Sequence, residues 1–445
     1  MTDLANIQDA EPLQEPNTHF CKQLVSLAST NHVETSEDVY TIHGMKLIAG
    51  GTQINDALYE RVVSHKLRKP LESSIEVEDA IGIDEMAEAA EKALDSSASL
   101  RKLAGWKHDG KTPVTFIKQM RLNSATTTLL NVHHSRNPAL LNHCAEVSLL
   151  AMGMSKKLQA PDTNFLQSMA LAGILHDIGE VYINPDLFQH GRKQLAPAEW
   201  KQVAAHPVVG EILLRRIENL PHIVPELILE HHERLDGFGY PRGRRGERIS
   251  TGGQILAAAE VISGLLAKKA RPIAHAELAM KLIPGEYNRQ IIDLIAKARE
   301  EVTPDNPVGA KTANQDDDLP ELVQRLLTKF TTIAKISGKL EQDAYRFSGA
   351  FQKIFDAVME RYTQIRRGFS STGLNTEIDV PDVMKMINDE ENVEIRFETT
   401  LIVNEISWRL FELSRILALQ LDKLPQAEGQ ALLALETALS GSFSA

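Results

Sequence analysis

Cysteine is almost absent from this chain: Cys21 and Cys144 are its only thiols, which excludes a disulfide framework as the source of stability. A reducing compartment, the cytoplasm, is the simplest expectation. No run of 18 or more uncharged apolar residues occurs, so no transmembrane helix and no membrane insertion are expected. The opening Met1-Thr2-Asp3-Leu4-Ala5-Asn6 lacks a basic region followed by an apolar core, and no signal peptide is expected there. An excess of positive charge is missing too. The formal net charge of −12 argues against broad nucleic-acid binding, and no DNA partner is expected. An anionic substrate would need a local basic patch or bound cations. What is present is an ordinary globular composition, 43% hydrophobic and 24% charged, over 445 residues. That length accommodates two or three domains and a substantial core.

Residues 1–36 are polar and mixed, and read as a tail with one short helix near residues 20–27. Short strands are expected at residues 40–42, 45–48 and 74–78, with a turn at Gly50-Gly51 and Asn55 capping a helix through Val63. Together these suggest a small α/β accessory module over residues 37–100, suited to dimerisation or sensing. Helical periodicity then takes over, first at residues 86–94 and 116–130, in a helical domain spanning residues 101–300. Pro304, Pro307, Gly309 and the run Asp316-Asp317-Asp318 mark residues 301–320 as an acidic linker. In residues 321–445, Leu322, Leu326, Phe330 and Ile333, then Phe347, Phe351 and Phe355, recur at helical spacing. Such stripes are core or helix–helix interface rather than a cofactor box. The fold class is mainly α.

Two phrases concentrate imidazole and carboxylate groups, ligand types that suit Zn, Fe and Mn. One is Leu175-His176-Asp177-Ile178-Gly179, and the other begins His231-His232-Glu233 and runs through Gly239-Tyr240-Pro241. Adjacent ligands cannot share one ideal helical face, but they can hold one ion at a helix end or bridge two. A third pair, His108-Asp109, lies beside Gly110 and Pro113 with no second ligand phrase near it, and reads as a solvated loop.

The stretch from about residue 130 to 295 closely resembles the HD-GYP domain, the bacterial branch of the HD phosphohydrolases that hydrolyses cyclic di-GMP. His143 stands where the family has its first ligand helix, and His176-Asp177 matches the HD pair. His206 before Pro207 matches the isolated histidine, His231-His232 the paired histidines, and Gly239-Tyr240-Pro241 the GYP itself. Glu260 falls at the family's last carboxylate ligand. The resemblance implies an HD-type helical domain with a binuclear metal centre, of Fe or Mn, with Zn as the alternative. Its ligands would be His143, His176, Asp177, His206, His231, His232 and Glu260, with Asp177 bridging and the His176-Asp177 pair central to catalysis. The implied activity is hydrolysis of cyclic di-GMP to a linear product in second-messenger signalling, in a homodimer that meets a signalling-protein partner. Tyr240 would offer a ring to guanine, with Gly239, Pro241, Arg242 and Arg271 also at the substrate.

Three positions depart from the family. Glu260 replaces the usual Asp, so the carboxylate reaches further by about a bond length. Glu180 follows Gly179 where the family has a Lys near the substrate phosphate. Replacing +1 by −1 about 6 Å from a phosphate, at an effective dielectric near 20, costs several kcal/mol if uncompensated. After Arg271 and Pro272, Ile273 and Ala274 replace the family's Tyr and Arg. Arg242, Arg244, Arg245 and Arg248, with Lys268, Lys269 and Arg271, are the cations available in sequence to compensate, unless they are simply solvated. Two readings follow: a metal-dependent phosphodiesterase, or a catalytically degenerate HD-GYP protein serving as a nucleotide-responsive or protein-binding module. If repulsion by Glu180 governs, Glu180→Lys should raise turnover about tenfold or more.

Overall fold

A computed structural model describes residues 17–107, 110–159, 162–188, 195–267, 271–300, 319–370 and 393–441. His108-Asp109, Lys268, Lys269 and the proposed linker up to Asp318 lie outside the described residues. The chain divides into two compact units: Met1–Lys193, Gln202–Gly264 and Asn288–Leu294 in the first, and Gln194–Lys201, Leu265–Tyr287 and Ile295–Ala445 in the second. Helix dominates both. No described helix is long and apolar enough to cross a membrane.

The first unit opens with the helix Thr18–Ala28, started by the Asn17 side chain, which accepts hydrogen bonds from the backbone of His19 and Phe20. Val39–Tyr40 and Lys46–Ile48 pair antiparallel, close to the strands expected at residues 40–42 and 45–48. Ile75–Val77 also forms a strand, but its partner Val33–Thr35 comes from the polar stretch read as a tail. Only a partner strand makes so short an extended segment worth its ordering entropy. Asn55 caps Asp56–Val63 as anticipated, accepting from the Leu58 N–H.

One helix was expected over residues 116–130, and two form instead, Pro113–Lys118 and Ser124–Ser135. Asn123 breaks the run: its side chain accepts from the Thr126 N–H and donates to Glu218 O at 3.0 Å. The centre of the unit is the pair Ala139–Leu158 and Thr163–Leu175. Every residue from Ser168 to Leu175 is buried, the pattern of a helix surrounded by other elements. A Cβ at Gly173 would collide with the backbone of Val147 and Ser148, which is why this crossing needs glycine. Pro207, with no N–H to donate, sits in the first turn of a new helix, His206–Leu214, separate from Pro197–Val203. Ile223–Glu230 and Thr251–Leu266 follow.

In the second unit Leu319–Gln342 buries Leu326, Phe330, Ile333 and Leu340. Phe347, Phe351 and Phe355 stack in series, with centroids 4.0 and 6.0 Å apart. Periodicity did not foretell the buried ionic knot of Arg409. It pairs with Glu286 at 2.7 Å and Glu405 at 3.1 Å, and Arg361 reaches Glu286 at 3.3 Å.

Candidate metal centre

His176 closes the apolar helix Thr163–Leu175 as its C-terminal cap, and Asp177 starts the 3-10 turn Ile178–Tyr182. Gly179 lets this turn lie against the start of the His206 helix, since a Cβ there would strike His206 O. His206 begins its helix, His231 caps the end of Ile223–Glu230, and His143 and Glu260 lie within Ala139–Leu158 and Thr251–Leu266. Four of the five imidazoles are therefore delivered at or near helix ends or turns, where neighbouring residues are free to diverge.

Asp177 joins two halves of a cluster. Its Oδ2 is 3.0 Å from His176 Nε2, while its Oδ1 is 3.2 Å from His206 Nε2 and 3.5 Å from His231 Nε2. Glu260 Oε2 lies 3.1 Å from His143 Nε2 and 3.2 Å from His176 Nε2, so the extra methylene does not carry this carboxylate out of the cluster. Donor atoms of His143, His176 and Asp177 gather on one side, and those of Asp177, His206, His231 and His232 on the other. All seven expected ligands are thus brought together.

Ring orientation shows that this set suits cations. His176, His206 and His231 each set Nδ1 against a backbone carbonyl, of Gly173 at 2.9 Å, Val203 at 2.8 Å and Ile228 at 2.5 Å. Those contacts require Nδ1–H, which leaves Nε2 as a lone pair in the neutral ring. Yet His206 Nε2 and His231 Nε2 face each other at 3.1 Å. Two lone pairs at that distance repel unless a proton or a metal lies between them. His176 Nε2 and Glu260 Oε2 are likewise buried without a hydrogen bond. The donor set therefore fits a metal.

The same crowding shifts the protonation equilibria. Burial alone would raise Asp177, but His176, His206 and His231 hold its carboxyl well below the usual range. Glu260 is held down in the same way, against its burial, by His143 and His176. Burial, with His231 and His206 nearby, pushes His232 well below an ordinary histidine. Burial likewise lowers His231. The carboxylates are therefore ionised, and these two imidazoles are neutral, the forms that bind metal.

Several partners were not anticipated. Ser263, one turn beyond Glu260, lies 3.2 Å from His143 Nδ1 and donates to Glu146 at 2.9 Å. The only sequence signal was its spacing of three from Glu260. Glu180 is compensated, but not by the arginines after the GYP. Arg136 Nη2 sits 2.6 Å from its carboxylate, His133 Nε2 lies at 3.5 Å, and the Arg136 guanidinium rests over Phe188. Against burial and the charge of Asp177, His133 and Arg136 keep Glu180 below the usual carboxylate range.

The expected substrate residues divide. Tyr240 stacks on His232 at 4.5 Å, so one face of its ring is already covered. Gly239 is needed within the protein, because a Cβ there would meet the backbone of residues 232–234. The Tyr240–Pro241 peptide is cis. Arg244 is engaged by Glu230 and Glu226. Arg242 is half-buried beside the loop, and Arg245 is exposed. Arg271 belongs to the second unit, where its guanidinium covers Phe397 at 5.1 Å.

Glu233 holds the loop that follows the paired histidines, accepting from the N–H groups of Arg242 at 2.7 Å and Arg244 at 2.9 Å. Burial outweighs those bonds and pushes its carboxyl up from 4.5 to about 7. The folded protein therefore keeps a proton that the unfolded chain has lost between these values, and this component of stability falls as pH rises through the window. Glu233→Gln should remove that slope, and its amide would confront one N–H, costing about 1–3 kcal/mol. Urea midpoints across this pH range, with amide exchange at Arg242 and Arg244, measure both effects.

Residues 128–291 match the family model described as HD domain. A cyclic di-GMP phosphodiesterase of Pseudomonas aeruginosa is 31% identical over 160 residues, 35% of this chain and 38% of that one. A cyclic di-GMP phosphodiesterase of Thermotoga maritima is 30% identical over 158 residues, 34% of this chain and 41% of its own. A 3'3'-cGAMP-specific phosphodiesterase of Vibrio cholerae is 39% identical over 99 residues, 22% of this chain and 19% of its own. The chain spans about two fifths of the length of the first two relatives. Fold, site and these matches agree on likeness to an HD domain over residues 128–291. The Gly239-Tyr240-Pro241 phrase lies within that matched segment.

Proposed function

We propose that this protein is a metal-dependent cyclic-dinucleotide phosphodiesterase acting on cyclic di-GMP. The observation that carries the reading is Asp177, which offers Oδ2 to His176 and Oδ1 to His206 and His231. One ion would be held by His143, His176, Asp177 and Glu260, and the other by Asp177, His206, His231 and His232. The mixed imidazole and carboxylate donors would suit Fe or Mn, with Zn as the alternative. When bound, such metals supply an acidified water and neutralise phosphate charge.

The chain's own residues do the rest. Backbone carbonyls of Gly173, Val203 and Ile228 fix three imidazoles with Nε2 toward the cluster. Ser263 positions His143, and Tyr240 is held against His232 beside the paired histidines. Glu180, neutralised by Arg136, opposes a phosphate less than a free carboxylate would, which favours catalysis over the degenerate reading.

The test is anaerobic purification, metal analysis, and assay of cyclic di-GMP and 3'3'-cGAMP with added Mn or Fe(II). Hydrolysis of cyclic di-GMP to a linear product is expected. A metal-loaded protein that binds the dinucleotide without cleaving it would instead establish the degenerate module.

A further inference from the structure

Three further potential ligands take no part in the HD cluster. His133 and His134 end the helix Ser124–Ser135, and Cys144 follows His143 in Ala139–Leu158. Their exposures are 1%, 3% and 0%. One donor atom from each lies within 4.8 Å of the others.

Both ring nitrogens of His134 are buried without a hydrogen-bond partner, while Nε2 of His133 faces Glu180 at 3.5 Å. A neutral imidazole has one N–H to donate and one lone pair to fill. Leaving both unmet in the interior is unfavourable, so a buried group of this kind calls for a partner such as an ion. Burial, with His133 and Arg136 close by, lowers His134 to about 3, so it is a neutral ligand rather than a cation. Arg136 would oppose a second positive charge here, but Glu180 lies against both Arg136 and His133 and offsets it.

We propose that His133, His134 and Cys144 form a second cation site, separate from the HD cluster, that takes one borderline-soft ion of the Zn(II) class. Two imidazoles and a thiolate are the donor types such an ion selects over the harder metals. On binding, the sulfur–hydrogen bond of Cys144 breaks, its electron pair goes to the ion, and the proton leaves to solvent. Zn–N bonds of about 2.0–2.1 Å and Zn–S bonds of about 2.3 Å place tetrahedral ligands about 3.3–3.6 Å apart. The three side chains therefore have to close by no more than about an ångström and a half. The inference stands apart from the phosphodiesterase reading, because it uses none of the HD ligands.

Cobalt(II) distinguishes the two sites, since only a thiolate ligand produces a sulfur-to-cobalt charge-transfer band and the HD cluster contains no sulfur. Metal-free full-length protein is titrated with Co(II), then with Zn(II) in competition. The expected result is a charge-transfer band in the wild type that Zn(II) abolishes. It persists in Cys21→Ser and in His176→Ala, and it is lost in Cys144→Ser and weakened in His134→Gln. Elemental analysis should find one equivalent per chain fewer in the last two variants. Persistence of the band in His176→Ala keeps this result independent of the HD cluster. A wild type without the band at saturating Co(II), or equal metal content in wild type and both site variants, overturns the proposal. The wild-type spectrum decides even if a variant fails to fold.

Discussion

Asp177→Ala is expected to strip most of the metal from the purified protein and to lower cyclic di-GMP hydrolysis by about a thousandfold or more, equivalent to roughly 4 kcal/mol of barrier. Asp177 is the one residue whose two oxygens serve both halves of the cluster, so its loss removes a ligand from each. Without the metals, an attacking water would lose the acidification that a bound cation supplies. His176→Ala should act in the same direction, through the half shared with His143 and Glu260. Metal content by elemental analysis and initial rates check both variants. Unchanged metal in both would make the cluster an ionic core instead of a metal centre. Acid should mimic the substitutions. Against its burial, Asp177 and Glu260 raise His176 well above an ordinary histidine, so its proton must leave before Nε2 can bind. Metal binding therefore releases protons and weakens as pH falls.

Glu180→Lys is expected to destabilise the protein by about 3–5 kcal/mol, because it breaks a buried pair and leaves two cations facing each other. The side chains of Arg136 and Glu180 are only 12% and 14% exposed and 2.6 Å apart. This revises the expectation drawn from repulsion alone, under which the change raises turnover. The reciprocal exchange, Arg136→Glu with Glu180→Lys, should recover much of the stability, with a coupling of about 2 kcal/mol in a double-mutant cycle. Urea unfolding of the four proteins measures it. A single Glu180→Lys protein that is as stable as wild type and turns over tenfold faster would show that the Arg136 pair is unimportant and that repulsion governs.

The clustered histidines and carboxylates were legible because the motif phrases tie them to backbone features that are themselves local: a helix end at His176-Asp177, a proline start at His206-Pro207, a cap at His231. The Arg136–Glu180 pair was not legible. The two residues are 44 apart, and nothing in the residues around Arg136 distinguishes it from any solvated arginine. Ser263 was missed for a similar reason, since spacing puts it near Glu260 but not against His143. The family resemblance puts Gly239 at the substrate. Gly239 in fact makes room for the chain itself, a close approach that is visible only once residues 232–234 fold back.

Taken by itself, the sequence determined the mainly helical class, the ligand types and the order in which they occur, because composition, periodicity and ligand chemistry are properties of residues and short spacings. Tertiary structure alone decided which oxygen of Asp177 faces which histidine, which cation answers Glu180, and that His133, His134 and Cys144 share one buried corner. Those outcomes depend on helices packing across long separations in sequence, where burial converts a modest charge or an unmet lone pair into an energy of several kcal/mol.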